Sequence, residues 1–561
     1  MTPENQPVGF IVINGPVYTS DPANEWAEAF AVADGKIVAV GNEEAIRNMA
    51  GGATPVIDLQ GKLAMPGLVD VHAHLGLGGR QAAFELPLLP TDSTAEIVDK
   101  VRAWAERLAP DEWIIGGIVG STVMDDITVQ DLKSLDEAAA GRPVLLRDDS
   151  MHNRWVNSRA LELMGVSADS PDPEGGTYVR DDAGQLTGVL QELASPVGEA
   201  AAAASIEETP ERHATAFRTA VEILNGYGVT AVQEAATMDY ALETLAAMDH
   251  RGELTAHVVA SMPSRPFIEP GTTGTDLYDV GSEHHTEHLH PNFAKYVLDG
   301  VPMTRTSAML NPYLCSHRSH DPQHTGEPLW QLEDLVASLE ELVDRGLHAK
   351  LHATGDAAVR MVLDAVEQVR ASRGKGPLFQ IAHVEYIDAA DLRRFAALGV
   401  VPDASPYIWF PSVIQESIAK QIPAAVFDKS WPLRDLLLDG ALVSGGSDWP
   451  CSAPTPDPWT GLETLITRRN PDPAVVGTLN VPQALDVEQA VAAFTRHPAA
   501  AMGLQDRVGM LREGLSADFI VLDRNIFTVD PGQIHAVQVH QTWFEGRLVY
   551  EAAAGQVPAV A

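Results

Sequence analysis

The sequence predicts an α/β fold: a (β/α)8, TIM-like barrel with a β-sandwich formed by both termini and an inserted α+β unit after the first barrel strand. Three observations lead there. The middle of the chain alternates short apolar runs with helical patterns, as parallel βα units do. The two ends share another style, short strands separated by hairpin turns. Residues 76–208 separate the first apolar run of the middle from the second, far more chain than an ordinary connection needs, so they form a unit of their own.

In order along the chain, residues 9–62 hold strand-like runs at 10–13, 29–33, 36–40 and 56–59, with Asn14-Gly15 and Asp34-Gly35 as turns. The far end repeats this at 517–523, 536–539, 542–544 and 547–550, with Glu545-Gly546 as a turn. Neither end has strands enough alone, so 1–62 and 505–561 are expected to build one composite sandwich. The barrel is assigned to 63–75 and 209–504. Its eight strands are expected at 68–74, 231–235, 256–261, 294–298, 349–352, 379–383, 400–404 and 442–446. Helical patterns fall at 209–226, 238–250, 331–345, 356–371, 388–397, 431–439 and 485–501, whereas 263–292 reads as loop. The insert, 76–208, reads as helices near 94–108 and 189–205 and strands near 113–118 and 143–147. Barrel active sites lie at the C-terminal strand ends, so an insert there is expected to act as lid and substrate wall.

Composition narrows the function. The chain has 561 residues, 45% hydrophobic, and a formal net charge of −39. So acidic a protein is a poor partner for nucleic acid or an anionic membrane. No apolar run reaches transmembrane length, and Met1–Gln6 lacks the basic start and apolar core of a signal peptide. Two cysteines, Cys315 and Cys451, exclude a disulfide framework, and a reducing cytoplasm is the expected compartment.

The most informative stretch is Pro66-Gly67-Leu68-Val69-Asp70-Val71-His72-Ala73-His74. Residues i and i+2 of a strand face the same way, so His72 and His74 can share one metal ion at a strand end. Other strands end in similar chemistry: Lys295 within the fourth, His352 at the fifth, His383 at the sixth and Asp448 at the eighth. Each has a plain reading by itself. The histidines can be hydrogen-bonded strand ends, Ser447-Asp448 a cap or turn, and Lys295 the partner of a carboxylate such as Asp299. Together they converge on one mouth, and buried charges need partners that a divalent metal would supply.

The order His-x-His, Lys, His, His, Asp resembles the amidohydrolase superfamily. The wording of 64–74, Lys295–Gly300, His352–Val359 and Gly446–Pro450, with the tail 514–523, is similar to its amidohydrolase-3 (YtcJ-like) branch, which includes N-substituted formamide deformylases. The resemblance implies one or two divalent ions, zinc by expectation. His72 and His74 would bind the more buried ion, His352 and His383 the second, and a carbamate on Lys295 would bridge the two. Asp448 would contact the first ion and shuttle the proton. An unmodified Lys295 beside a single ion is the alternative.

The resemblance further implies that His152 and Trp155, in His152–Leu161, face the substrate; the competing reading is a helix start capped by Asn157 or Ser158. Glu192 is a weaker pocket candidate. Trp409, Phe410 and Trp449 suit either a pocket wall or core packing. The branch tends to carry glutamine after strand seven, where this chain reads Val401-Pro402-Asp403-Ala404-Ser405-Pro406. Glu283–His290 reads as a solvated loop, and His317, His320 and His324 as part of a loop covering the mouth.

The expected function is hydrolysis of a C–N bond in a small molecule: an N-substituted formamide, N-acyl amine or carbamate. An ester or lactone hydrolase, or a deaminase, is the alternative on the same site. A binding protein on a catalytically retired barrel is the alternative outside enzymes. A homo-oligomer is compatible with a barrel of this size.

Overall fold

The computed structural model describes residues 8–553 except 90, 121–122, 125, 149–152, 174–175, 193, 267–270, 315–321, 409 and 452–454, and except the side chains of Glu192 and Val413. It divides into two compact units, Met1–Leu75 with Val221–Val560, and Gly76–Ala220. Among the described residues no helix is long and apolar enough to cross a membrane.

The first unit is built on one eight-stranded parallel sheet, hydrogen-bonded in chain order: Leu68–Ala73, Val229–Glu234, His257–Pro263, Leu289–Val297, His348–Ala353, Phe379–His383, Val400–Ala404 and Ser444–Gly445. All eight expected strands are there. The sheet curls until its ends meet. Asp448 N donates to His72 O (2.7 Å) and His74 N to Trp449 O (2.8 Å), tying the exit of strand eight to strand one. Gly446 allows that approach, since a Cβ there would lie 2.7 Å from both the Cβ and the N of His72. Alternation sorts strand one. Val69 and Val71 pack with Ala499, Ala501 and Met502 on the outside, which turns Asp70 and His72 inward.

Helices Pro210–Gly226, Asp239–His250, Leu332–Asp344, Asp356–Arg373, Leu392–Leu398 and Leu433–Leu438 stand where the apolar period placed them, the last two shorter than expected. The expected helix 485–501 is two, Val487–Ala493 and Arg496–Ala501, because Phe494 O accepts from Val69 N of strand one (2.8 Å). The loop expected at 263–292 is also corrected. Gly274–Glu283 is a helix burying Leu277, Tyr278 and Gly281, and strand four already begins at Leu289. Two glycines and weak helix formers masked that helix.

Both termini build the remaining sheets of this unit. A four-stranded sheet holds Lys36–Gly41, Ala29–Ala33, Phe10–Ile13 and Val56–Asp58; a six-stranded one runs Arg547–Glu551, Val539–Phe544, Phe519–Leu522, Leu63–Pro66, Val17–Tyr18, Trp26–Ala27. They share a core in which Val12, Phe30 and Ile37 meet Phe519 and Val521, a sandwich made from both ends. Asp34-Gly35 and Glu545-Gly546 have φ values of 48° and 75°, and 48° and 68°, as tight hairpin turns require. Leu63–Pro66 pairs antiparallel with Phe519–Leu522, so the sandwich runs past the expected boundary at 62 and hands the chain directly to barrel strand one.

The second unit is a six-stranded sheet, in order Gly176–Arg180, Leu186–Glu192, Asn153–Val156, Val144–Asp148, Ile114–Val119 and Leu86–Pro87, with helices that include Thr94–Ala105 and Val129–Ala139. Capping boxes at Ser93/Glu96 and Thr128/Asp131 start these two helices. The expected helix 189–205 is corrected to Ser195–Ala203. Pro196 sits in its first turn, and the residues before it are strand, paired with Asn153–Val156.

Candidate metal centre

The strand ends bring the expected residues together. His72 is fully buried at the end of strand one, and His74 follows it, 5% exposed. Asp448 Oδ1 lies 3.5 Å from His72 Nε2 and 3.5 Å from His74 Nε2. One ligand atom each from His72, His383 and Asp448 falls within 4.8 Å of the others. Lys295 Nζ is 3.3 Å from His72 Nε2. The His352 ring packs edge-on against His383, centroids 4.7 Å apart, and its Nε2 donates to Gly300 O at 3.1 Å. His352 therefore borders the His72/His383/Asp448 group with its nitrogen turned to the backbone. Two of these residues hold unusual backbone. His383 has φ 75° and Asp448 φ 53°, and Val384, next to His383, has φ 37°, a conformation a β-branched residue rarely adopts. Such strain gathers where the surroundings impose a side-chain direction.

A charged layer lies beneath. Lys350 and Asp403 are both fully buried, with Lys350 Nζ donating to Asp403 Oδ2 at 2.7 Å. The same oxygen accepts from His72 Nδ1 at 2.8 Å. A carboxylate on Nδ1 leaves the lone pair on Nε2, aimed at Asp448 and Lys295. Asp70 accepts from His72 N (2.9 Å) and Ser447 N (3.1 Å), which fixes the backbone of strand one against the exit of strand eight. Sequence reasoning did not see the roles of Lys350 and Asp403. The signal was present: Lys350 has the strand parity of His352, and Asp403 is a charge inside the apolar run of strand seven.

Electrostatics follow from burial. It pushes His352 down to about 4 and His383 to about 3, and holds His72 well below the ordinary imidazole value, with Lys295 and Lys350 adding to this at His72. Burial and then Lys350 push Lys295 down to about 8. Burial opposes ionisation of Asp448, but the hydrogen bond from His74 and the neighbouring imidazoles outweigh it and keep its carboxyl well below the usual range. At His74 burial is outweighed by Cys451 and Asp448, and its value rises to about 10. The imidazoles of His72, His352 and His383, neutral beside an ionised carboxylate, are the donor set a zinc-like divalent cation takes, and His74 joins them on giving up its proton, so the residues present fit such an ion.

The substrate-side expectations fare differently. Trp155 is fully buried in the apolar core of the second unit, among Ile114, Leu146 and Val189, so its expected contact with substrate is corrected to packing. Asn157 caps the helix Ser158–Leu163 through Ala160 N, the competing reading of that stretch. His152 and Trp409 lie outside the described residues, as does the Glu192 side chain, whose backbone ends the strand Leu186–Glu192. Trp449 is 3% exposed and stands next to Asp448, held through its backbone to His74. His324 is tied to Arg305 O at 2.9 Å, and His317 and His320 lie outside the described residues. Within 283–290, residues 284–288 are the expected loop, exposed at His285 and Glu287, between a helix end and strand four. His288 Nδ1 bonds Asp249 at 2.6 Å with Glu545 3.2 Å from Nε2, and His290 is buried in strand four.

A parallel barrel gathering imidazoles and a carboxylate at its strand ends is the architecture in which barrel enzymes hold a divalent cation. Residues 55–550 match the amidohydrolase family, and the chain belongs to it. It is similar to the putative amidohydrolase YtcJ of Bacillus subtilis, 27% identical over 96% of this chain and 98% of that one. It is equally similar, 27% over 96% and 98%, to an N-substituted formamide deformylase of Arthrobacter pascens. Its fold is that of an uncharacterized metal-dependent hydrolase from Pyrococcus horikoshii, with a TM-score of 0.72 and 23% identity over 93% of this chain and 99% of that one.

Proposed function

We propose that this protein is a metal-dependent hydrolase that cleaves the C–N bond of a small amide: an N-substituted formamide, an N-acyl amine or a carbamate. The observation that carries the reading is Asp448, an ionised carboxylate 3.5 Å from two imidazole nitrogens at the strand ends. The similarity to a formamide deformylase supports the choice of bond. His72, His74, His383 and Asp448, with Lys295 and His352 beside them, are the residues that would hold the ion, zinc by the chemistry of the set. A divalent cation bound there acidifies water and polarises a carbonyl oxygen.

The chain's own groups carry the proton. Asp448 accepts it from a water that adds to the carbonyl carbon, and returns it to the nitrogen as the C–N bond breaks, leaving an amine and a carboxylic acid, or a carbonic acid half-ester where the substrate is a carbamate. Asp403 holds His72 Nδ1 so that Nε2 faces the reacting space. Lys295, with its amine pushed down to about 8, offers the neutral form that takes up carbon dioxide; a carbamate there belongs to this proposal.

The test is a metal count on protein purified without chelator, joined to a screen of formamides, N-acyl amines and carbamates with matched esters. Cleavage of an amide by the native protein, with Asp448→Asn retaining metal but losing about 10²–10⁴-fold in turnover, is the expected result. Turnover by Asp448→Asn at the native rate would remove Asp448 as proton shuttle. Faster cleavage of the matched esters would favour the ester or lactone reading, and absence of stoichiometric metal the binding-protein reading.

A further inference from the structure

The segment leaving barrel strand eight is held at four points. Ser447 N donates to Asp70 (3.1 Å), Asp448 N to His72 O (2.7 Å), and His74 N to Trp449 O (2.8 Å), and Cys451 N closes the turn on Asp448 O (2.8 Å). This backbone sets the direction of two side chains together. Asp448 points inward between His72 and His74. Cys451, one turn on, brings its sulfur to the same side. Its Sγ, a ring nitrogen of His74 and an oxygen of Asp448 lie within 4.8 Å of one another. The His72/His383/Asp448 group is a separate set of similar size, made of nitrogen and oxygen alone. Asp448 belongs to both.

We infer that Cys451 is a metal ligand: its thiolate, with His74 and Asp448, forms a nitrogen–oxygen–sulfur cation position at the mouth of the barrel. This rests on the reading of the strand ends as a metal centre and adds to it a sulfur donor. The chemistry is that of a soft ligand. A thiolate favours zinc, cobalt or cadmium over magnesium and manganese, so one sulfur biases the whole site toward the first group. Binding replaces the thiol proton and the proton on the His74 ring, both leaving to solvent as the sulfur–metal and nitrogen–metal bonds form. Cys451 is exposed, whereas His74 and Asp448 are buried, so the cation would be held from below and stay open to an entering molecule above. Hydrogen-bonded backbone on both sides of Asp448 makes the position ready-formed, with little ordering left to cost affinity.

Cobalt(II) separates this inference from the reading beneath it. The native protein and Cys451→Ser are stripped, loaded with cobalt, and examined by absorption spectroscopy and metal count. The expected result is a near-ultraviolet sulfur-to-cobalt charge-transfer band in the native protein that is missing in Cys451→Ser, while both keep visible cobalt absorption. In parallel, iodoacetamide labelling of the Cys451 peptide, followed by mass spectrometry, should slow at least about tenfold at saturating zinc and recover with chelator. Bound cobalt with no sulfur band, and labelling indifferent to zinc, overturns the role of Cys451 and leaves the metal centre standing. No cobalt bound by either protein overturns the metal centre itself.

Discussion

Asp403→Asn puts the buried layer under the candidate metal centre to the test. Asp403 is fully buried, and one of its oxygens takes both the Lys350 ammonium at 2.7 Å and His72 Nδ1 at 2.8 Å. Asparagine keeps the shape and removes the charge. Lys350, with no exposed surface, then loses its hydrogen-bonded counter-charge. Removing one member of a buried pair costs about 3–5 kcal/mol. Asp70 also favours the charged form of Lys350, which places the expected loss near the lower end, about 3 kcal/mol. Adding Lys350→Met removes the stranded ammonium, so the double variant should be more stable than Asp403→Asn, with a coupling of about 2 kcal/mol or more. The assay is urea unfolding followed by tryptophan fluorescence, with and without saturating zinc. Asp403→Asn should also weaken zinc binding about 10–100-fold, because a neutral amide oxygen holds the His72 tautomer less firmly than a carboxylate does. A variant within about 0.5 kcal/mol of the native protein and with unchanged zinc affinity would refute both the ion pair and its hold on His72.

Three further outcomes follow from other contacts. Lys295→Ala should lower metal content, with partial rescue by short carboxylic acids; unchanged content would take Lys295 out of the ligand set. Gly446→Ala places a Cβ 2.7 Å from the Cβ of His72 and should cost about 1–3 kcal/mol and loosen metal retention, both readable by thermal melting with a metal count. An unchanged melt with full metal would show that strands one and eight can part at no cost. At His288, burial is outweighed by Glu545 and Asp249, and the value rises to about 9. Its folded value lies above its unfolded one, so its contribution is fully present below pH 6.5 and lost as pH rises through 9. The contribution is at most about 3 kcal/mol. The stability difference between the native protein and His288→Gln should shrink over that window, and a difference that grew instead would contradict the ion pairs.

Much of the architecture was legible because it depends on local pattern. Each barrel strand is a short apolar run between turn signals, and all eight appear. Strand parity alone put His72 and His74 on one side of the first strand. What escaped was either locally weak or paired at long range. Gly274–Glu283 lacks helical propensity and is held by burial of Leu277 and Tyr278. Residues 189–191 look helical in isolation but pair with 153–155. Trp155 sits in a phrase suggestive of substrate contact, and packing decides otherwise.

By itself, the order of residues determined a parallel barrel between two halves of a sandwich and the set of side chains gathered at its strand ends, since periodicity and parity are properties of a few neighbouring residues. Tertiary structure alone decided that Asp403 holds both Lys350 and His72, that His352 turns to Gly300, and that Cys451 comes beside His74. Those meetings join positions 53, 331, 52 and 377 residues apart. The closed sheet and its burial, rather than any local preference, bring such groups within reach and oblige charged ones to pair.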